Sequence, residues 1–364
     1  MQPTSETLRV SPVPSAANSI TAAITAAGGA IPFEQFMLLA LYGERGFYQT
    51  GGKAGRRGDF ITSPEVGPLF AAVIARYLDD CWIELGRPHA FDVVEVGAGP
   101  GTLARGVFDA KPECLVAMKY TAVEISASQR DLHPDFVESV EVFPERDING
   151  VVLANELLDN LPFRLFVFDG KWKEAFVAIG DGDKFVEVLK DVAEIPSVLP
   201  MTASLGARAP IQSAARDWLT MVSARLGRGR ILVFDYCSAS TSDIAASPWR
   251  EWLRTYKDHG RGEHYLANPG SQDITVQVML DQLSNVLSGL SATSQAEWLQ
   301  TWGIDELVTE GNQYWEIHKS APDVAALKMR SRENEARILA KISANNFMTV
   351  SINLMNDNGV GKLI

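Results

Sequence analysis

The chain has 364 residues, 46% of them hydrophobic, enough to fill one large α/β domain with insertions, or two domains, without covalent staples. A formal charge of −12 argues against a phosphate-backbone partner, which needs a basic face, and favours a cationic one. The three cysteines, Cys81, Cys114 and Cys237, form no CxxC pair, so neither a disulfide framework nor a structural zinc site is expected and a reducing compartment fits.

Residues 1–22 are rich in Ser, Pro and Ala, hold no apolar core after a basic start and carry the single Arg9. They read as a flexible tail rather than a secretory or transit leader. No stretch approaches the roughly 18 apolar residues of a membrane span, so a soluble, cytoplasmic protein without a membrane partner is expected. Residues 23–88 are expected to form an N-terminal helical cap and lid loop. Apolar residues recur at helical spacing over 31–42, GERG at 43–46 ends the pattern, GGKAGRRGDFITSPE at 51–65 has no usable period, and 66–85 reads as a long amphipathic helix.

From residue 89 onward, short apolar runs alternate with helical segments: FDVVEV (91–96), a helix from about Thr102, KYTAVE (119–124), a helix, SVEVF (139–143) and GVVLAN (150–155). Strands separated by helices imply parallel pairing with right-handed crossovers, hence an α/β, doubly wound sheet. The run RLFVFDGKWKEAFVAIGDGDKFVEVL, broken by Asp169-Gly170 and Gly180-Asp181-Gly182, predicts a β-hairpin or meander inserted at about 163–200. A helix near 211–226 leads to the strand RILVFDY (230–236). The polar stretch 238–270 is too long for a simple connection and opens a second insertion, about 238–300, read as a substrate-facing loop. Helices are expected at 275–287 and 322–344, and NFMTVSINL (346–354) closes the sheet.

EVGAGPG, residues 95–101, follows the first strand and opens a helix, the corner at which backbone N–H groups approach a nucleotide. A dinucleotide fingerprint would need glycine at 102, where the chain has Thr102, so a redox dinucleotide is a distant second reading and a plain tight turn the structural one. E-x-G-x-G-x-G instead resembles the first motif of class I methyltransferases that use S-adenosyl-L-methionine, a sulfonium cation with an ammonium group and no phosphate. Glu95 suits the positive methionine end. Glu124, closing the next strand, can accept hydrogen bonds from both ribose hydroxyls. Gly97, Ala98, Gly99, Gly101, Thr102 and Ile125 complete the cofactor contacts expected on these two loops.

Five segments, GDFITSPEVGPLF (58–70), EVGAGPGTL (95–103), VEIS (123–126), ANELLDNLPFR (154–164) and DITVQV (273–278), occur in an order that resembles the MidA-like family of class I S-adenosyl-L-methionine-dependent methyltransferases. Relatives include the mitochondrial complex I assembly-factor protein arginine methyltransferase. The resemblance runs from about residue 30 to the C-terminus. It implies a Rossmann-like class I methyltransferase sheet with an N-terminal helical cap and inserted segments over the cofactor. It also implies a lid, extended from Asp59, that brings Thr62, Ser63 and Glu65 to the cofactor, although Ser63-Pro64-Glu65 equally suits a helix start. Gly67-Pro68 stands where the family usually has a polar pair.

A guanidinium acceptor has a pKa above about 12 and a delocalised lone pair, so carboxylates must orient it. Glu156 and Asp159, three apart in NELLDN, would share one face of a starting helical turn and clamp such a nitrogen, with Asn155 bridging to the cofactor. The same residues also suit a simple N-cap; the family resemblance points to the clamp. Asp235-Tyr236 can face the acceptor too. His259 and His264 lack metal-ligand spacing, so no metal is expected, and Arg254, Lys257 and Arg261 read as a solvated face or loop anchor. The leading function is methyl transfer to a cationic, arginine-bearing protein. A small-molecule acceptor is the first alternative, and a non-catalytic assembly factor keeping the fold is the second.

Overall fold

The computed structural model describes residues 15–50, 62–258, 260–284 and 289–354. Residues 1–14 of the tail expected over 1–22, the extended segment at 59–61 and His259 lie outside the described residues. At the centre is an eight-stranded sheet. Strands β2 (Phe91–Val96), β3 (Met118–Val123), β4 (Glu138–Val140), β5 (Ile148–Asn155) and β10 (Leu226–Ser238) run parallel in the order β4-β3-β2-β5-β10. Next to β10 lies β16 (Phe347–Asn353), antiparallel to it, and outside that lies β15 (Leu290–Ser294), while the short β14 (Val278–Met279) pairs with the end of β10.

Every residue of β2 is buried, as expected for a strand covered on both faces. Alternate side chains therefore enter different cores. Phe91 and Val93 meet α5 (Pro68–Glu84), α6 (Thr102–Ala110), α11 (Gln295–Thr301), α12 (Ile304–His318) and α13 (Val324–Ser343). Val94 and Val96 meet α8 (Ser213–Arg225) and α10 (Leu280–Ser284) on the other face. The segment after β3 forms only one helical turn, α7 (Ala127–Arg130).

The first insertion makes a five-stranded antiparallel sheet. Its central strand β7 (Trp172–Ile179) is flanked on one side by β8 (Phe185–Lys190). Its other side pairs with β6 (Arg164–Phe168) and then with β1 (Ala30–Pro32), and β9 (Arg208–Ile211) extends β6, so the insertion reaches beyond residue 200. Helices α1 (Ala16–Ala26), α2 (Phe33–Tyr42) and α3 (Phe47–Thr50) pack on this sheet through Ile20, Ile24, Phe33 and Phe36. Two expectations are thereby corrected. The tail does not reach residue 22, because Ser15 caps a helix by accepting from the Asn18 N–H. Nor is 23–88 one cap: β1 completes the inserted sheet, while α5 belongs to the central domain.

The stretch read as a substrate-facing loop folds into α9 (Thr241–Ala246) and a small antiparallel sheet of β11 (Leu253–Lys257), β12 (Gly260–Arg261) and β13 (Asp273–Val276). The start of the helix expected at 275–287 lies instead in the strands β13 and β14, in keeping with the β-branched run Ile274-Thr275-Val276. The long helix expected over 66–85 is split at Gly67 into α4 (Ser63–Val66) and α5. A side chain at Gly67 would strike the buried Glu335 carboxylate, which comes from α13 and accepts from the Leu69 N–H at 2.8 Å to cap α5. Among the described residues no helix is long and apolar enough to cross a membrane.

Candidate active site

The chain leaves β2 toward β3 on one side and returns in β5 on the other, opening a crevice at the carboxyl ends of these strands. EVGAGPG fills its edge. Gly97, Gly99 and Gly101 have φ of 72°, 53° and 77°, a region in which a side chain is strained, so all three glycines are required by the backbone. The Gly97 and Ala98 N–H groups donate to the Val123 carbonyl at 2.9 and 3.1 Å, tying the turn to β3. Gly101 then starts α6 and is turned away, against His133 and Pro134.

Above the turn lies a cleft of about 300 Å³. Of the residues predicted to contact a cofactor, Thr62, Glu65, Glu95, Gly97, Ala98, Gly99, Thr102, Glu124, Ile125 and Asn155 line it. Ser63 does not: its side chain is buried and donates to Gln295 Oε1 at 2.8 Å, anchoring the 62–66 turn to α11. Tyr42 and Tyr48, stacked with centroids 5.4 Å apart, form a further wall, and Trp218 lines the cleft from α8. Nothing in the local pattern of the sequence announced these aromatics, because helical spacing says which residues are apolar but not which cavity a helix end reaches.

Glu124 accepts from the Gly99 N–H at 2.9 Å through Oε2 and from the Ser126 N–H at 2.8 Å through Oε1, leaving each oxygen capacity for another donor. Burial raises its pKa, opposed by those two N–H bonds. Glu95 is buried against Tyr120, whose hydroxyl donates at 2.8 Å, and burial pushes its carboxyl up to about 8. A cation in the cleft would reverse that shift.

Glu156 also borders a second, smaller pocket of about 100 Å³. Asp159, Asn160 and Tyr236 contribute to it from the central sheet, and Trp252, Arg254, Tyr256 and Asp273 from the small sheet. Its local backbone differs from the helical turn expected at NELLDN. Asn155 ends β5, and Glu156 sits at φ 50°, a left-handed conformation that costs a non-glycine residue on the order of 1 kcal/mol. Its N–H donates to the Phe234 carbonyl at 2.8 Å, so the strand pair holds the strain in place. Only a single tight turn follows, Leu158–Asn160.

That turn is capped by Asp235, not Asn155: Asp235 Oδ2 accepts from the Leu158 and Asp159 N–H groups at 2.9 and 3.3 Å. The N-cap reading of Asn155 and the shared helical face of Glu156 and Asp159 are therefore both corrected, although the two acids do line one pocket. Asn155 instead donates through Nδ2 to Glu156 Oε1 at 3.3 Å. Asp273, missed as a site residue, accepts from the Tyr48 hydroxyl and from Asn160 Nδ2, both at 3.1 Å.

Carboxylates crowd this pocket. Burial, then the charge of Asp235, pushes Glu156 up to about 8. Burial, then Asp235 and Glu156, holds Asp159 well above the usual range, while Asp235 rises to about 7 through burial. Asp159 Oδ1 and Asn155 Oδ1 are buried without a hydrogen-bond partner. Such a site can take a cation with several N–H donors, or a proton near neutral pH.

Comparison with known proteins now bears on the chemistry. The model of a family described as "Putative S-adenosyl-L-methionine-dependent methyltransferase" matches residues 73–297, more than half of the chain, and the chain belongs to this MidA-like family. It is 27% identical over 294 residues to the mitochondrial protein arginine methyltransferase NDUFAF7 homologue of Drosophila melanogaster, covering 69% of this chain and 65% of the fly protein. Against mitochondrial protein arginine methyltransferase NDUFAF7 of Mus musculus the identity is 25% over 303 residues, covering 72% and 68%. The chain thus spans about two thirds of the length of these relatives. A Burkholderia thailandensis protein crystallised with S-adenosyl-homocysteine superimposes with a TM-score of 0.77 at 27% identity, covering 94% of this chain and 95% of that one.

The protein is an S-adenosyl-L-methionine-dependent methyltransferase with the class I fold. The cleft suits that cofactor: the glycine turn brings bare backbone to it, Glu124 has acceptor capacity for two hydroxyls, and Glu95 is a buried acid to which a cation restores charge.

Proposed function

We propose that the methyl acceptor is the guanidinium of a protein arginine, seated in the small acidic pocket with Glu156 between it and the cofactor. The bound cofactor supplies an electrophilic methyl group on a sulfonium. The observation that carries the reading is Asp159 Oδ1, a buried acceptor without a donor in a pocket rimmed by Glu156 and Asp273. A planar group with several N–H donors satisfies it, and an uncharged acceptor would leave the carboxylates in conflict.

Glu156 borders both cavities, so it is the acid able to touch a nitrogen adjoining the methyl. Ionised, it aligns the guanidinium and localises a lone pair on the attacking nitrogen. As the N–C bond forms and the S–C bond breaks, the proton lost from that nitrogen passes to Glu156. In the ligand-free pocket burial raises this carboxyl to about 8, so it takes up a proton readily when no cation stands opposite it. Support also comes from the fly and mouse relatives, both named as protein arginine methyltransferases.

The test is incubation with radiolabelled cofactor and arginine-bearing proteins or peptides, followed by amino-acid analysis of the labelled product. Methylarginine is expected with the wild type and not with Glu156→Gln. Label on another residue or on a small metabolite, or full turnover by the variant, overturns the proposal.

A further inference from the structure

Resting on the arginine reading, we infer that the face of the small sheet beside the acidic pocket docks an acidic segment flanking the methylated arginine, through Arg254 and Arg261.

Side chains alternate along β11. Leu253 is buried in the core formed with the N-terminal helices, together with Ile274 of β13. Arg254 and Tyr256 therefore lie on the opposite face, and both line the pocket. In the sheet register Tyr256 stands between Asp273 of β13 and Arg261 of β12, which puts Arg261 on the same face. Arg261 Nη1 donates to the Arg250 carbonyl at 3.2 Å, and Arg254 Nε donates to the Glu251 carbonyl at 2.6 Å. The Arg250 guanidinium stacks over the Trp249 ring at 4.2 Å. Two guanidinium groups, those of Arg254 and Arg261, thus lie beside the turn at 249–251, positioned by neutral carbonyls, while that of Arg250 turns with Trp249 toward Tyr265.

Neither Arg254 nor Arg261 forms an ion pair with a carboxylate among the described residues, in a chain where Asp and Glu number 45 against 33 Lys and Arg. Elsewhere Arg130, Arg146, Arg164 and Arg208 each hold an acid at 2.5 to 3.0 Å. Arginine forks fixed at one edge through Nε or one Nη keep their other N–H groups for bidentate pairing with a carboxylate. The acceptor region therefore has two signs of charge: acids inside the pocket for a guanidinium, and arginines at its mouth for its neighbours. A nucleic-acid strand fits this poorly, because its phosphates would also meet the pocket acids and an overall charge of −12.

The experiment measures kcat/KM on three peptides that differ only beside one arginine, where they carry Glu and Asp, Gln and Asn, or Lys. The wild type is expected to prefer the acidic flank over the neutral one by about 5-fold or more at low ionic strength, with the preference shrinking as salt screens it. Arg254→Gln and Arg261→Gln should each reduce that ratio, and Arg254→Glu/Arg261→Glu together should invert it toward the Lys-flanked peptide. Because the readout is a ratio within one variant, loss of folded protein does not imitate the effect. Equal use of acidic and neutral peptides by the wild type overturns this inference alone. Labelling of no arginine peptide by cofactor-bound enzyme overturns the arginine reading, and this inference with it. Stronger competition by a short single-stranded oligonucleotide than by the acidic peptide would assign the rim to phosphates and also overturn it.

Discussion

The cofactor cleft and the acidic pocket meet at Glu156, yet they are built from different material. The cleft rests on loops at the carboxyl edge of the central sheet, where Glu124 already accepts two backbone N–H bonds and the glycine turn is tied to Val123. The pocket is walled largely by side chains from the second insertion, and its acids face one another with Asp159 Oδ1 unpartnered. The cleft's carboxylate at Glu124 is satisfied before a ligand arrives, whereas the pocket's at Asp159 is not, so methyl donor and acceptor should respond differently to the same kind of substitution.

The largest separation is expected with Glu156→Gln. This change should lower kcat/KM for methyl transfer by roughly 1000-fold, the scale of losing a positioned base, while cofactor affinity by calorimetry stays within about threefold. Equal losses in both would break the distinction between the two cavities. Glu124→Ala is the converse. Losing a carboxylate that bonds both turns and has acceptor capacity for the ribose should weaken cofactor binding by about 100-fold, with turnover at saturating cofactor changing less than about tenfold.

A pH series sharpens the contrast. Glu95 and Glu156 are raised to about 8 and Asp235 to about 7, so the folded protein retains protons that the unfolded chain releases above about 4.3. The stability these groups contribute is fully present below that unfolded value and is lost as pH climbs through 7 to 8. The ligand-free melting temperature should therefore fall by several degrees between about pH 5.5 and 8.5, and less steeply in Glu156→Gln and Asp235→Asn. On the proposed role of Glu156 as an ionised clamp, activity should move the other way over that interval. The smallest effect is expected from Tyr48→Phe, which removes the donor to Asp273 and should cost about 1 kcal/mol of stability by chemical denaturation. A larger loss in cofactor affinity than in acceptor KM would show that Tyr48 serves the cleft more than the pocket.

Legibility in the sequence divides along the same line. FDVVEV, the three glycines and Glu124 are local signals, since strand, turn and following strand are contiguous and their backbone needs are written in neighbouring residues. The pocket depends on partners far apart in the chain: Asp235 caps a turn 77 positions away, and Asn160 meets Asp273 across 113. No periodicity carries that information. NELLDN was misread as a helix start for a related reason, because the Phe234 carbonyl of the adjoining strand holds Glu156 in a left-handed conformation that local propensity disfavours. The helix expected at 275–287 began within DITVQV although its β-branched residues favour the strands they form. Gly67 was visible as a departure from the family pattern, but its reason, room for Glu335, lies in α13.

The position of β16 between β10 and β15 has a consequence for biosynthesis. A nascent chain that has emerged only as far as residue 346 carries the glycine turn and the pocket acids, but β10 still has a bare edge and β15 lacks the neighbour it pairs with. The interior gap in the sheet is filled by a segment synthesised hundreds of residues after β2, so consolidation on the ribosome waits for a late strand to slide into a waiting slot. Until then the uncovered edge of β10 is a template on which another unpaired strand can add.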